Sequence, residues 1–85
     1  MNAAARKVRN AKVRELTFLV LNTEGTWVSV DHIVSLCDNA FRFRMSYQRL
    51  AQIMKKDLRA GNILTQWREE TTSWRIPFEP ESETL

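Results

Sequence analysis

Eighty-five residues make one domain near the lower limit for a core that folds without staples, and 44% hydrophobic content with three Trp and four Phe is too rich for disorder. No apolar run approaches the roughly 18 residues that a membrane span needs, and the single cysteine, Cys37, rules out an internal disulfide. Net charge is +3, but residues 1–68 carry 12 Lys/Arg against 5 Asp/Glu (+7) and residues 69–85 carry one Arg against 5 Glu (−4), an asymmetry suited to a polyanion approached from one side, or simply to a solvated surface with a soluble tail.

Residues 1–12 hold Arg6, Lys7, Arg9 and Lys12 without an acid and are alanine-rich, so they read as a basic arm or a helix extension. From residue 13 a helical stripe is expected along Val13, Leu16 and Val20, flanked by Leu19 and Leu21, with Gly25 as the stop. On that stripe Phe18 stands about 160° away on a wheel of 100° per residue, so it needs a second cover or a partner subunit. Thr26-Trp27-Val28 reads as a short edge strand.

Ser29 is a good N-cap for a second helix, with Asp31 in its first turn. Val30, Ile33, Val34 and Cys37 follow at the spacing of one buried face, which makes Cys37 a small core residue rather than a reactive thiol. Asp38-Asn39-Ala40 breaks this helix. The connection Phe41-Arg42-Phe43-Arg44-Met45 alternates rings with guanidiniums and reads as a hydrophobic wedge between helices.

Ser46 caps the next helix, expected over 46–60. Tyr47, Leu50, Ala51, Met54 and Leu58 form its core face, with Ile53 at one edge. Gln48, Gln52, Lys55, Lys56 and Arg59 centre on the other side with Arg49 beside them, and Asp57 falls off that margin. Amides and cations in this arrangement suit phosphates and base edges, although many exposed helices show such a face.

Gly61 ends the helix, since a C′ residue usually takes positive φ. Two alternating runs, 62–68 and 74–78, then read as a hairpin about a loop Glu69-Glu70-Thr71-Thr72-Ser73. Trp67 and Trp74 are expected to pair across it, Trp74, Ile76 and Phe78 to share a face, and Pro77 to lie at an edge or end. Residues 79–85 read as an acidic disordered tail.

The order helix, strand, helix, helix, strand, strand, with the joint Leu58-Arg59-Ala60-Gly61-Asn62-Ile63-Leu64, resembles a winged helix-turn-helix domain. The resemblance implies a small α+β fold over residues 13–78, with three helices and a two- to three-stranded antiparallel sheet. It implies double-stranded DNA as partner, with helix 46–60 in the major groove. Gln48, Arg49 and Gln52 would read bases. Ser46, Tyr47, Lys55, Lys56 and Arg59 would meet phosphate, with Arg68, Arg75 and the cations Arg6, Lys7, Arg9 and Lys12. Phe18 would lie in a homodimer interface, since one such domain buries little DNA. Glu69 and Glu70 depart from the basic wing of DNA-binding members, so the wing tip is expected to stay off DNA.

His32 is the only histidine, and Gly25 and Gly61 the only glycines, so neither a His/Cys metal set, a His-based catalytic group nor a Gly-rich phosphate loop is expected. No enzyme and no cofactor is therefore foreseen. A cytoplasmic regulator or accessory factor, of a size that phages and plasmids encode, is the leading expectation. The alternatives are a winged-helix protein-interaction module without DNA binding, and a single-strand binder using Trp27, Trp67 or Trp74 for stacking.

Overall fold

Asn2 accepts a hydrogen bond from the Ala5 N–H (2.8 Å) and so starts α1 (Ala3–Glu24), which makes residues 3–12 helix rather than a loose arm. The computed structural model describes residues 2–40, 42 and 44–77. The expected wedge rings Phe41 and Phe43, Phe78 on the Trp74 face, and the tail 79–85 lie outside the described residues. After α1 come β1 (Val28–Ser29), α2 (Val30–Asn39), α3 (Tyr47–Ile53), α4 (Lys55–Ala60), β2 (Leu64–Arg68) and β3 (Thr71–Arg75). The described residues thus form an α+β fold of four helices and a three-stranded antiparallel sheet, ordered β1-β3-β2.

The helix ends follow local chemistry. Gly25 takes φ 68° and receives the close of α1 through its N–H to the Leu21 carbonyl (3.0 Å). Ser29 Oγ accepts from the His32 N–H at 3.1 Å, which forces β1 to be short: the same residue ends the strand and caps α2. Gly61, at φ 82°, donates to the Leu58 carbonyl while Asn62 donates to that of Asp57 (2.9 Å), the paired bonds that satisfy the last carbonyls of α4. Open space surrounds the Cα hydrogens of both glycines, so what excludes a side chain is the positive φ itself.

The buried core gathers Val13 and Leu21 of α1, Val28, the α2 residues Val30, Ile33 and Cys37, and Met45, Leu50, Met54, Ile63 and Trp74. Trp74 is the largest of the fully buried side chains and sits on the central strand, where helices cover it.

Several local expectations are corrected. On α1 the fully buried residues are Val13, Thr17 and Leu21, whereas Leu19 is exposed. The buried stripe is therefore rotated by roughly 70° from Val13-Leu16-Val20 on a wheel of 100° per residue. Thr17 tolerates the core because its hydroxyl donates to the Val13 carbonyl (2.9 Å). The rotation moves Phe18 round to pack against the core instead of standing opposite it.

The helix expected over 46–60 bends at Met54, whose φ −92° and ψ 4° lie off the helical values and divide it into α3 and α4. Hydrogen bonding still runs through the bend, from Met54 N–H to Leu50 and from Leu58 N–H to the Met54 carbonyl. Asp57, expected off the margin of that helix, is 5% exposed. Both Arg14 nitrogens Nε and Nη2 donate to its carboxylate at 2.8 Å and Asn62 Nδ2 at 3.2 Å, which locks α4 to α1.

The hairpin loop is shorter than expected. Arg68 pairs with Thr71, leaving only Glu69 and Glu70 in the turn, both at positive φ (54° and 62°). Thr71, Thr72 and Ser73 are strand residues, as β-branched threonine allows. The tighter turn shifts the register: Trp67 faces Thr72 and Trp74 faces Thr65, so the two Trp are not directly paired. Pro77 lies beyond the end of β3, out of the ladder.

Candidate nucleic-acid interface

Ser46 fixes the start of α3 by accepting the Arg49 N–H at 3.1 Å. Beyond that cap Gln48 and Gln52 lie four residues apart on α3, both exposed. Tyr47 is not in the core but 43% exposed, its hydroxyl donating to Thr72 Oγ1 (3.2 Å) and tying α3 to β3. Arg49 leans the other way: its Nη2 donates to Asn10 Oδ1 on α1, a long bond of 3.5 Å.

That lean brings cations together. Arg9, Arg44 and Arg49 line one hollow with Met45 and Ser46, and Arg9 also lines an adjoining one with Lys12 and Arg42. Among the described residues no carboxylate lines either hollow. Arg42 adopts φ 61° in the connection between α2 and α3. The N-terminal cations Arg6 and Lys7 are exposed further along α1. Lys12 also contacts Glu15 (3.3 Å), an exposed pair of little energetic weight that leaves the ammonium accessible.

Other predicted residues are not part of this cluster. Lys55, Lys56 and Arg59 are exposed on α4, beyond the bend. Arg68 is exposed at the hairpin end of β2. Arg75 is engaged: its guanidinium lies 5.7 Å from the Trp27 ring centroid and its Nε donates to the Ile76 carbonyl. Phe18 is half-buried, with the Arg14 guanidinium 5.0 Å from its ring centroid, and borders an apolar hollow along α1 with Leu16 and Leu19.

Three tryptophans occupy three environments. Trp74 is buried, Trp27 lies beside Arg75, and Trp67 is 71% exposed. Only Trp67 could offer a stacking face without rearrangement.

The sequence reading missed the anchoring roles of Asn10, Arg14 and Asp57, and the grouping of Arg42 and Arg44 with Arg9. One signal for Asp57 was present. Seven residues after Leu50, it returns to nearly the same side of a helix, so a carboxylate there calls for a partner. Arg42 and Arg44 carried no such signal, because their direction depends on where the connection runs.

Among the described residues no group of three His, Cys, Asp or Glu side chains could hold a metal ion, and no helix is long and apolar enough to cross a membrane. No family model matches the chain, and no match emerges among curated proteins or solved structures.

Proposed function

We propose that the chain is a winged-helix DNA-binding protein, acting as a transcriptional regulator or accessory factor. The observation that carries this reading is the convergence of Arg9, Lys12, Arg42, Arg44 and Arg49, from α1, the α2–α3 connection and α3, on two adjoining hollows, with Gln48 and Gln52 exposed on α3. Cations so clustered supply affinity through released counterions, and exposed glutamines supply the donor-acceptor pair that reads adenine. The β1-β3-β2 sheet and the succession α2, α3, hairpin also support it, since this is the order a wing requires.

In this reading Gln48 and Gln52 contact bases. Arg6, Lys7, Arg9 and Lys12 follow the backbone on one side, and Lys55, Lys56, Arg59 and Arg68 on the other. Ser46 and Tyr47 approach a phosphate near the start of α3. Two protomers meeting along the apolar hollow beside Phe18 and Leu19 would double the contact with DNA.

A salt titration of duplex binding tests the proposal. Affinity should fall steeply between dilute and moderate salt, with a log–log slope near −0.9 for each phosphate neutralised. A flat response rejects it. Gln52→Ala should lower discrimination between sequences, whereas Lys55→Ala should weaken all duplexes alike.

The exposed Trp67, with Leu64 41% exposed on the edge strand β2, favours a second reading as a protein-docking module. Stoichiometric retention of one protein partner after nuclease treatment, without duplex binding, would select it.

A further inference from the structure

On α1 the buried residues Val13, Thr17 and Leu21 mark one side of the helix. Val8, Lys12, Glu15 and Leu19 lie within about 40° of the direction opposite Thr17, on a wheel of 100° per residue. Val8 is 69% exposed and Leu19 56%, the two large apolar side chains that α1 leaves to solvent among the described residues. The spacing i, i+4, i+7 and i+11 is that of a seam between two packed helices. Ala4 and Ala11 flank it, and small side chains there let a second helix approach closely.

The charges along α1 select the second helix. Arg6, Lys7 and Lys12 precede Glu15 and Glu24, so the cations and carboxylates of this 22-residue helix occupy different halves. A copy laid parallel would set cation beside cation. Laid antiparallel, it sets the cationic half against the acidic half and opposes the two helix dipoles. One register then meets both demands. Placing Lys12 of one copy opposite Glu15 of the other also places Val8 opposite Leu19, because both pairs are symmetric about the same point, between Val13 and Arg14. Lys12 Nζ already lies 3.3 Å from Glu15 Oε1 of its own helix, so the two pairs merge into a network of four alternating charges.

We infer that a second copy of this chain covers the outer side of α1, packed antiparallel about a two-fold axis between Val13 and Arg14. Leu16 and Phe18 border the contact. One helix per copy makes a small interface, so the dimer dissociates on dilution. The pairing deepens the DNA-binding reading and rests on it only for its use, which is to bring two copies onto one duplex.

Sedimentation equilibrium of the full chain should show reversible dimerisation between about 1 μM and 1 mM. Lys12→Glu sets carboxylate against carboxylate across the axis, and Glu15→Lys sets ammonium against ammonium. Each variant alone should dimerise about tenfold more weakly. Mixed in equal amounts, the two should form a heterodimer of wild-type strength, because every pair across the axis again has opposite signs. Both positions are exposed, and matched thermal melts should establish that the variants fold. Oxidative cross-linking reads the orientation. A Val8→Cys chain mixed with a Leu19→Cys chain should give a linked heterodimer. Neither should link to itself, since like positions stand about 16 Å apart along the axis, and Cys37 is buried.

If the chain stays monomeric across that range, or the mixed charge variants fail to recover, the inference is overturned and the stripe has another occupant, from this chain or a different protein. Cross-links between like positions would mean parallel helices and would overturn it too. If the dimer shows the expected charge and cross-linking pattern but binds no duplex, the pairing stands and the DNA reading falls. If duplex binds with a steep salt slope while the free chain stays monomeric, the DNA reading survives and the pairing falls.

Discussion

Asp57 carries more of the architecture than its place in a basic helix suggests. Its carboxylate is nearly buried and receives donors from Arg14 and Asn62, so three segments meet on one side chain. The Arg14 hydrogen bond holds the Asp57 carboxyl below its ordinary value of 3.8, against the opposing effect of burial and with further help from Asn62. A carboxyl whose pKa is lowered by folding stabilises the fold above its unfolded pKa. That contribution is lost as pH falls from about 3.8 through the lower folded value. Denaturant unfolding as a function of pH should therefore show stability declining below about pH 4, and Asp57→Asn should flatten that decline. Arg14→Ala leaves the carboxylate with Asn62 alone and uncovers Phe18. Because Arg14 is half exposed, its loss should cost only about 1–2 kcal/mol. An unchanged acid limb in Asp57→Asn would show that other groups control it.

Among the elements, the β2–β3 hairpin carries visible strain. A two-residue turn with both φ positive favours Asn-Gly, yet Glu69 and Glu70 occupy it. Each side chain in the left-handed region costs roughly 1 kcal/mol, and two adjacent carboxylates repel. Glu69→Asn with Glu70→Gly should raise stability by about 1 kcal/mol, read as a melting temperature some 4–8 °C higher. No gain would mean that contacts elsewhere hold the turn. The bend at Met54 works in the opposite sense: it retains its hydrogen bonds, and Met54 itself is fully buried. It divides the segment that carries Gln48 and Gln52 from the one that carries Lys55, Lys56 and Arg59.

For the whole molecule, the single core offers a direct probe of cooperativity. Cys37 is 2% exposed in that core, and burial pushes its thiol above the ordinary value. Neither access nor thiolate is available without opening the fold. Alkylation of Cys37 should accordingly be slow in the native protein and accelerate with denaturant in step with global unfolding. Rapid labelling in native buffer would reveal a local opening of α2.

Much of this architecture was legible in the chain because its causes are local. Ser29 and Ser46 cap helices, Gly25 and Gly61 end them, and the spacing of Val30, Ile33 and Cys37 marks a buried face. Each of these depends on a few neighbouring residues, so sequence alone determines it. Tertiary structure decided what turns on orientation between distant segments. The roll of α1 about its axis, the burial of Asp57 against Arg14 and the two-residue turn with its shifted register belong to this class. So does the meeting of Arg9, Arg44 and Arg49. A helix's periodicity gives the width of its apolar face but not which neighbour it meets, and a cation's partner is fixed only when packing brings another element within reach.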